Sequence, residues 1–191
     1  ASNLALPVLY EMLNARTDVL AERVFAPWDD MEKVLRESGR RLFSLESRHE
    51  LCDFDVIAFS LGYELTYTNV LNVLDLGGVP AHRIDRGAAH PVILAGGGCA
   101  VNPEPMSDFI DIFMVGEAED ALTELVDVLL AHQHERGRLW AAAARVEGIY
   151  VPSLYEPRYA LDGSFQALTP FQDAPETIAR RIAWTLPPPP T

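Results

Sequence analysis

Three short apolar runs constrain this chain more than any other feature. Asp55–Ser60 reads DVIAFS, Pro91–Ala95 reads PVILA and Asp111–Val115 reads DIFMV. None of them alternates polar with apolar residues, so neither face of such a strand suits water. Runs of this kind belong to parallel strands buried on both faces. The segments between them carry helical spacing instead, and strand and helix patterns that alternate predict a parallel sheet with helices on both sides.

The helical segments can be placed by their caps and periodicity. Ser2 or Asn3 is positioned to cap a helix reaching about Ala15, with Ala5, Val8, Leu9, Met12 and Leu13 on one face. A strand is expected near Leu20–Phe25. Asp29 or Asp30 then opens a second helix, with Met31, Val34 and Leu35 inward and Gly39 at its end. A short extended piece covers Leu42–Leu45, and a third helix covers Thr66–Leu76, closed by Gly77 and Gly78. Glu117–His132 has the clearest helical repeat, with Ala118, Ala121, Leu122, Leu125, Val128 and Leu129 in register. A short Ala-rich helix is expected over Leu139–Arg145. Two strand-like runs then flank Asp162-Gly163, a hairpin signal. The expected class is α/β, a flavodoxin-like three-layer α/β/α arrangement with a mostly parallel sheet and a small C-terminal β-hairpin. Residues 1–151 form the α/β domain. Residues 152–191 form the hairpin extension and a linker ending in the stiff Pro187–Pro190 run.

Charge narrows the partners. The chain has 191 residues and a formal net charge of -13. That field repels a phosphate backbone, so this domain is not expected to bind nucleic acid. No apolar run reaches membrane-spanning length and no secretory leader pattern is present, which makes a cytoplasmic location the expectation. Cys52 and Cys99 form no zinc or C-x-x-C spacing and read as reduced thiols.

In open α/β sheets, ligands bind beyond the carboxyl ends of the strands. Three such ends carry candidate residues: Ser60, Leu61, Gly62 and Tyr63; Gly96, Gly97 and Gly98, followed by Cys99; and Gly116 and Glu117, followed by Glu119. Consecutive glycines remove side chains, so another group can lie against the backbone. They also fit a plain strand-to-loop turn. A dinucleotide fingerprint is incomplete, because Val101 stands where its third glycine belongs. A nucleophile elbow fails at Ala58, which stands where a glycine is needed. Glu117 and Glu119 suit the positive end of a helix dipole without any further role. The five histidines share no ligand spacing.

Taken together, these stretches resemble a known family. Val92-Ile93-Leu94-Ala95-Gly96-Gly97, then Asn102-Pro103-Glu104-Pro105, then Asp111–Glu119 is similar to the cobalamin-binding-type domains fused to radical SAM enzymes. Asp55–Asp75 resembles the strand and helix that precede that pattern. Ser2-Asn3-Leu4, Phe25-Ala26-Pro27-Trp28 and Ser60–Asn72 resemble an uncharacterised subfamily of the same group. The resemblance implies a base-off cobalamin whose nucleotide tail lies beside the sheet, with Ser60, Gly96 and Gly97 lining its pocket. It also implies that the family's first strand, and the loop that can supply an axial histidine, lie upstream of Ala1. Neighbouring strands would then lack a partner, and a homodimer of the fragment is one resolution. The iron–sulfur cluster and S-adenosylmethionine would belong to the radical SAM domain of the parent chain, so this chain alone is expected to carry no catalysis. One departure stands out: Tyr63 follows Ser60-Leu61-Gly62, where a cofactor tail needs room. A second expectation is therefore a cofactor-free module that recognises substrate or a partner and packs on the radical SAM barrel.

Overall fold

A computed structural model describes residues 5–132 and 135–184. Its core is a four-stranded sheet made of β1 (Val56–Ser60), β2 (Val92–Gly96), β3 (Ile112–Met114) and β4 (Ile149–Tyr150), adjacent in that order. β1, β2 and β3 run parallel, in a register that sets Ser60 beside Gly96 and Ala95 beside Phe113. β4 runs antiparallel to β3, with Phe113 beside Tyr150. The reversal follows from the connection. One helix returns the chain to the start of the sheet, and the second carries it back, so β4 enters from the opposite end. Those helices are α4 (Glu119–His132) and α5 (Arg136–Ala143).

The side chains of a strand alternate between the faces, so β2 and β3 are buried on both, while β1 at the edge buries Ile57 and leaves Ala58 exposed. Ile57, Ile93, Ala95 and Phe113 join one core cluster with Leu35 of α2 (Asp29–Ser38) and Val70, Val73 and Leu74 of α3 (Tyr67–Leu76). Val92, Leu94, Ile112 and Met114 join the other, against Ala121, Leu122 and Leu125 of α4 and Leu139 of α5. Leu9 and Leu13 of α1 (Ala5–Asn14) pack on that second face. The three-layer α/β arrangement and its mostly parallel sheet are thus as expected. The C-terminal hairpin is present as β5 (Tyr155–Tyr159) and β6 (Phe165–Pro170).

A buried clasp ties the amino ends of β2 and β3. The Asp111 carboxylate accepts from the Ile93 N–H at 2.8 Å and from Arg86 Nη2 at 3.0 Å. The Arg86 side chain is 1% exposed and also donates to the carbonyls of Pro80, Ala81 and Phe109. These hydrogen bonds offset part of the cost of burying the charge pair, and Arg86 Nε has no partner among the described residues.

Several expectations need correction. Leu20–Phe25 is not a strand. It is irregular chain, held where the Asn14 side chain bonds both backbone groups of Ala21 and where Leu45 N–H donates to the Arg23 carbonyl. Met31 and Val34 do not face inward. Both are exposed, and Leu35 alone carries the buried face of α2. Leu42–Leu45 contributes only an isolated antiparallel bridge between Phe43 and Glu50. α4 begins at Glu119, leaving Glu117 outside the helix, and the Ala-rich helix ends at Ala143. The four strands are contiguous, so the sheet has no internal gap, and β1 stands at its edge. The proposed caps Ser2 and Asn3, His134 and the Pro187–Pro190 run lie outside the described residues. Among the described residues, no helix is long and apolar enough to cross a membrane.

Candidate functional site

The parallel register brings the first two predicted strand ends together and leaves the third to one side. Ser60, exposed at the end of β1, stands in register with Gly96 at the end of β2. From there the two loops zip to each other. Leu61 N–H donates to the Gly96 carbonyl at 2.7 Å, and Cys99 N–H donates to the Leu61 carbonyl at 3.1 Å. The Leu61 side chain is buried in the core, so this residue offers a ligand neither side chain nor free backbone.

Gly97 has the conformation its sequence context suggested, for a different occupant. Its φ is +99°, and a Cβ there would stand 2.7 Å from the Leu61 carbonyl oxygen. The glycine makes room for the backbone of the neighbouring loop. Gly96 is under no such pressure, its nearest neighbour being the Met114 side chain at 3.8 Å from a notional Cβ. Gly62 has nothing within 4 Å, and Gly98 only the Gly62 carbonyl at 3.6 Å. Tyr63 leads into a short 3-10 turn, Glu64–Thr66, held by Thr66 Oγ1 donating to the Tyr63 carbonyl at 2.7 Å. The Tyr63 ring is 56% exposed, and it is Leu61 that closes the space against Gly97. Below the loop, burial and a hydrogen bond with Cys99 push the Tyr67 phenol above its usual range.

At the third end, the chain covers itself. After the hairpin, the segment Ile178–Trp184 returns across the end of β3 as a strap. Arg181 N–H donates to the Val115 carbonyl at 2.9 Å, and Glu117 N–H donates to the Arg181 carbonyl at 3.0 Å, a parallel bridge centred on Gly116. The Glu117 carboxylate accepts from Ala183 N–H at 2.5 Å. Arg181 also pairs with Glu124 at 2.5 Å and Glu147 at 3.1 Å. Gly116 has φ +113°, and its notional Cβ would lie 2.2 Å from the Arg181 carbonyl oxygen. Gly148, at φ +86°, would meet the Arg181 Cβ at 2.8 Å. Gly116 and Gly148 together form the notch that receives the strap. Sequence reasoning missed Gly148, Arg181 and Ala183. A strand-edge glycine preceding Ile149-Tyr150 was the available signal, but nothing local ties it to a residue so far along the chain.

A further polar contact lies beneath these loops. Tyr150 donates to Glu104 at 2.5 Å, and burial together with that bond holds its phenol far above the ordinary tyrosine range. Glu104 belongs to the P-E pair of the sequence pattern, so that pair anchors the loop after β2 to β4.

The arrangement suits binding and packing. Among the described residues, no group of three or more His, Cys, Asp or Glu side chains could hold a metal ion. At Gly97 and Gly116 the space a Cβ would take is filled by the chain's own Leu61 and Arg181 backbone, whereas Gly96 has no neighbour nearer than Met114.

Comparison with known proteins yields one match. No curated protein and no solved structure matches the chain. The family model described as radical SAM proteins, N-terminal, matches residues 5–152, well over half of the 191. The α/β layers, the zipped strand ends and the P-E anchor all lie inside that span, and the chain belongs to this family of N-terminal domains of radical SAM proteins.

Proposed function

We infer that this domain is a cofactor-free module that packs on the radical SAM domain of its parent protein. Membership of the family implies an iron–sulfur cluster and S-adenosylmethionine in the parent. Cluster ligation uses a set of cysteine thiolates, and Cys52 and Cys99 do not supply one, so those groups belong to the other domain. The observation that carries the reading is the closure of the strand ends: Leu61 backbone against Gly97 and Arg181 backbone against Gly116 occupy the volume those glycines vacate. In this reading residues 152–191 form the extension toward the radical SAM domain. The strap runs beside the carboxyl end of β3, where Arg181 pairs with Val115 and Glu117. Ser60, Gly62, Tyr63 and Gly98 remain at an accessible lip where a partner surface can rest.

The competing version retains cobalamin, with Ser60, Gly96 and Gly97 beside the nucleotide tail. It requires Leu61 and the strap to withdraw. Titration with hydroxocobalamin separates the two. The expected result is no visible-band shift and no heat up to high micromolar cobalamin, together with measurable association of this chain with the separately produced radical SAM domain. Saturable one-to-one cobalamin binding with a band shift would overturn the cofactor-free reading.

A further inference from the structure

The strap across the end of β3 meets an acceptor built wholly from residues 115–148. That acceptor is the Gly116 and Gly148 notch, the Val115 carbonyl, the Glu117 N–H and carboxylate, and the carboxylates of Glu124 and Glu147. The strap brings the Arg181 backbone, the Ala183 N–H and a guanidinium set between two carboxylates. These are backbone and polar contacts. The buried members of both core clusters all lie at or before Leu154, and the returning segment adds only Ala174 and Ile178 as partly buried neighbours. A further tie is the Tyr155 hydroxyl, which donates to the Pro175 carbonyl at 2.7 Å. The segment therefore leaves its seat without opening the core.

The joint that carries this segment is strained. Phe171–Ala174 is a tight turn, closed by Ala174 N–H donating to the Phe171 carbonyl at 3.1 Å. Its central residues are Gln172 at φ +54° and Asp173 at φ +61°. Three non-glycine residues have positive φ among the described residues, and two of them stand side by side here. A turn with two left-handed residues is normally built from glycine and asparagine. Asp173 tolerates that region better than Gln172 does, and neither matches glycine. Short hinges under strain favour exchange of the segment they carry, because the open form keeps every docking contact and relaxes the hinge.

We propose that the notch at Gly116 and Gly148 is an interface between two copies of this chain, which exchange residues 174–184 so that each strap seats in the notch of the other. The occupant is fixed by the contact already seen: a second copy offers the same backbone pairing and the same arginine for the same three acids. Each copy's Arg181 then completes the other's acceptor, and the Gln172–Asp173 turn opens to extended chain. The cost is electrostatic. A net charge of -13 on each chain opposes the pairing, so exchange is favoured by high protein concentration and by salt that screens the repulsion. Salt weakens the Arg181 ion pairs equally in both arrangements, so it does not cancel that gain. The proposal is independent of the packing role inferred above.

Sedimentation velocity of this chain, from micromolar to millimolar concentration and in low and high salt, tests the proposal. A dimer is expected whose share rises with both. Replacing Gln172 and Asp173 together by glycine relaxes the closed turn and is expected to raise the concentration needed for the dimer at least tenfold. Gln172→Pro fixes φ in the negative range, forbids the turn and is expected to lower that concentration at least tenfold. Thermal melts check that each variant folds, and if the proline variant does not, the unaltered chain and the glycine pair carry the test. Complementation identifies the contact. Arg181→Glu spoils the strap and keeps the notch, whereas Gly116→Ala spoils the notch and keeps the strap. Each alone is expected to be monomeric, and a mixture of the two, one isotopically labelled, is expected to give the heterodimer in native mass spectrometry. An unaltered chain that stays monomeric at millimolar concentration, a dimer indifferent to the glycine pair, or a mixture without heterodimer overturns the proposal. A dimer of either single variant alone places the contact elsewhere and overturns it too.

Discussion

The loop after β2 and the loop after β3 look alike in sequence: an apolar strand runs into glycine, then into small or acidic residues. In the structure both glycines sit at positive φ, and both face a foreign backbone at a distance no Cβ could share. They differ in whose backbone that is. Gly97 meets Leu61, from the adjacent strand of the same parallel pair and within the family-matched segment. Gly116 meets Arg181, from a strap outside that segment. The first closure belongs to the sheet itself, so opening it means breaking Leu61–Gly96 and Leu61–Cys99 hydrogen bonds beside buried Leu61. The second is a return of the chain, held by a few backbone bonds and by Arg181 on two partly exposed carboxylates. A glycine at a strand end therefore reports close backbone approach, but does not by itself report a ligand.

The largest expected effect is at Gly97. Gly97→Ala sets a Cβ against the Leu61 carbonyl at a φ that alanine adopts poorly, and neither loop can retreat without losing hydrogen bonds. The expected cost is about 2–4 kcal/mol in urea unfolding, from backbone strain plus overpacking. A loss below about 1 kcal/mol would mean that the Leu61 loop withdraws easily, and the cobalamin version would regain its pocket.

Gly116→Ala is expected to act on the strap before the sheet. The domain should stay folded with a smaller loss, about 1–2 kcal/mol, as one peripheral segment is released. Native-state proteolysis should then cut between 171 and 184, where the unaltered chain resists. If the variant unfolds as a whole at lower urea, with no separate cleavage of the strap, the two closures are equivalent and the contrast fails.

Gly62→Ala sharpens the comparison from the other side. Nothing lies within 4 Å of a Cβ at this position. Thermal melts are expected to shift by an amount equivalent to less than about 0.5 kcal/mol. A large shift would show that Gly62 also receives a backbone, and that the lip is less open than its geometry indicates.

Much of the fold was legible because strands shielded from water leave a strong local trace, fully in β2 and β3 and in part in the edge strand β1. PVILA and DIFMV have no face that suits water and became the buried strands β2 and β3, and DVIAFS became β1, at the edge with Ala58 and Ser60 exposed. The α4 repeat was legible for the same reason, with one apolar stripe against one sheet face. Leu20–Phe25 was misread because Leu20, Val24 and Phe25 have strand-like character, while the segment's backbone is held by the Asn14 side chain and by Leu45. Met31 and Val34 were misread because a short helix can show apolar spacing without a core to receive every position. The candidate site was legible as a set of positions. Its geometry was not, because Leu61 and Arg181 reach the glycines through backbone atoms that carry no residue-type signal.

The sequence by itself determined the layer architecture, the parallel strands, the hairpin and the family pattern, since each depends on periodicity, on turn chemistry or on residues close together in the chain. Only the tertiary structure decided what fills the space that the strand-end glycines leave and where the strap crosses. Those outcomes depend on the order in which strands pair and on how far the chain travels before it returns, and neither is written in any local stretch.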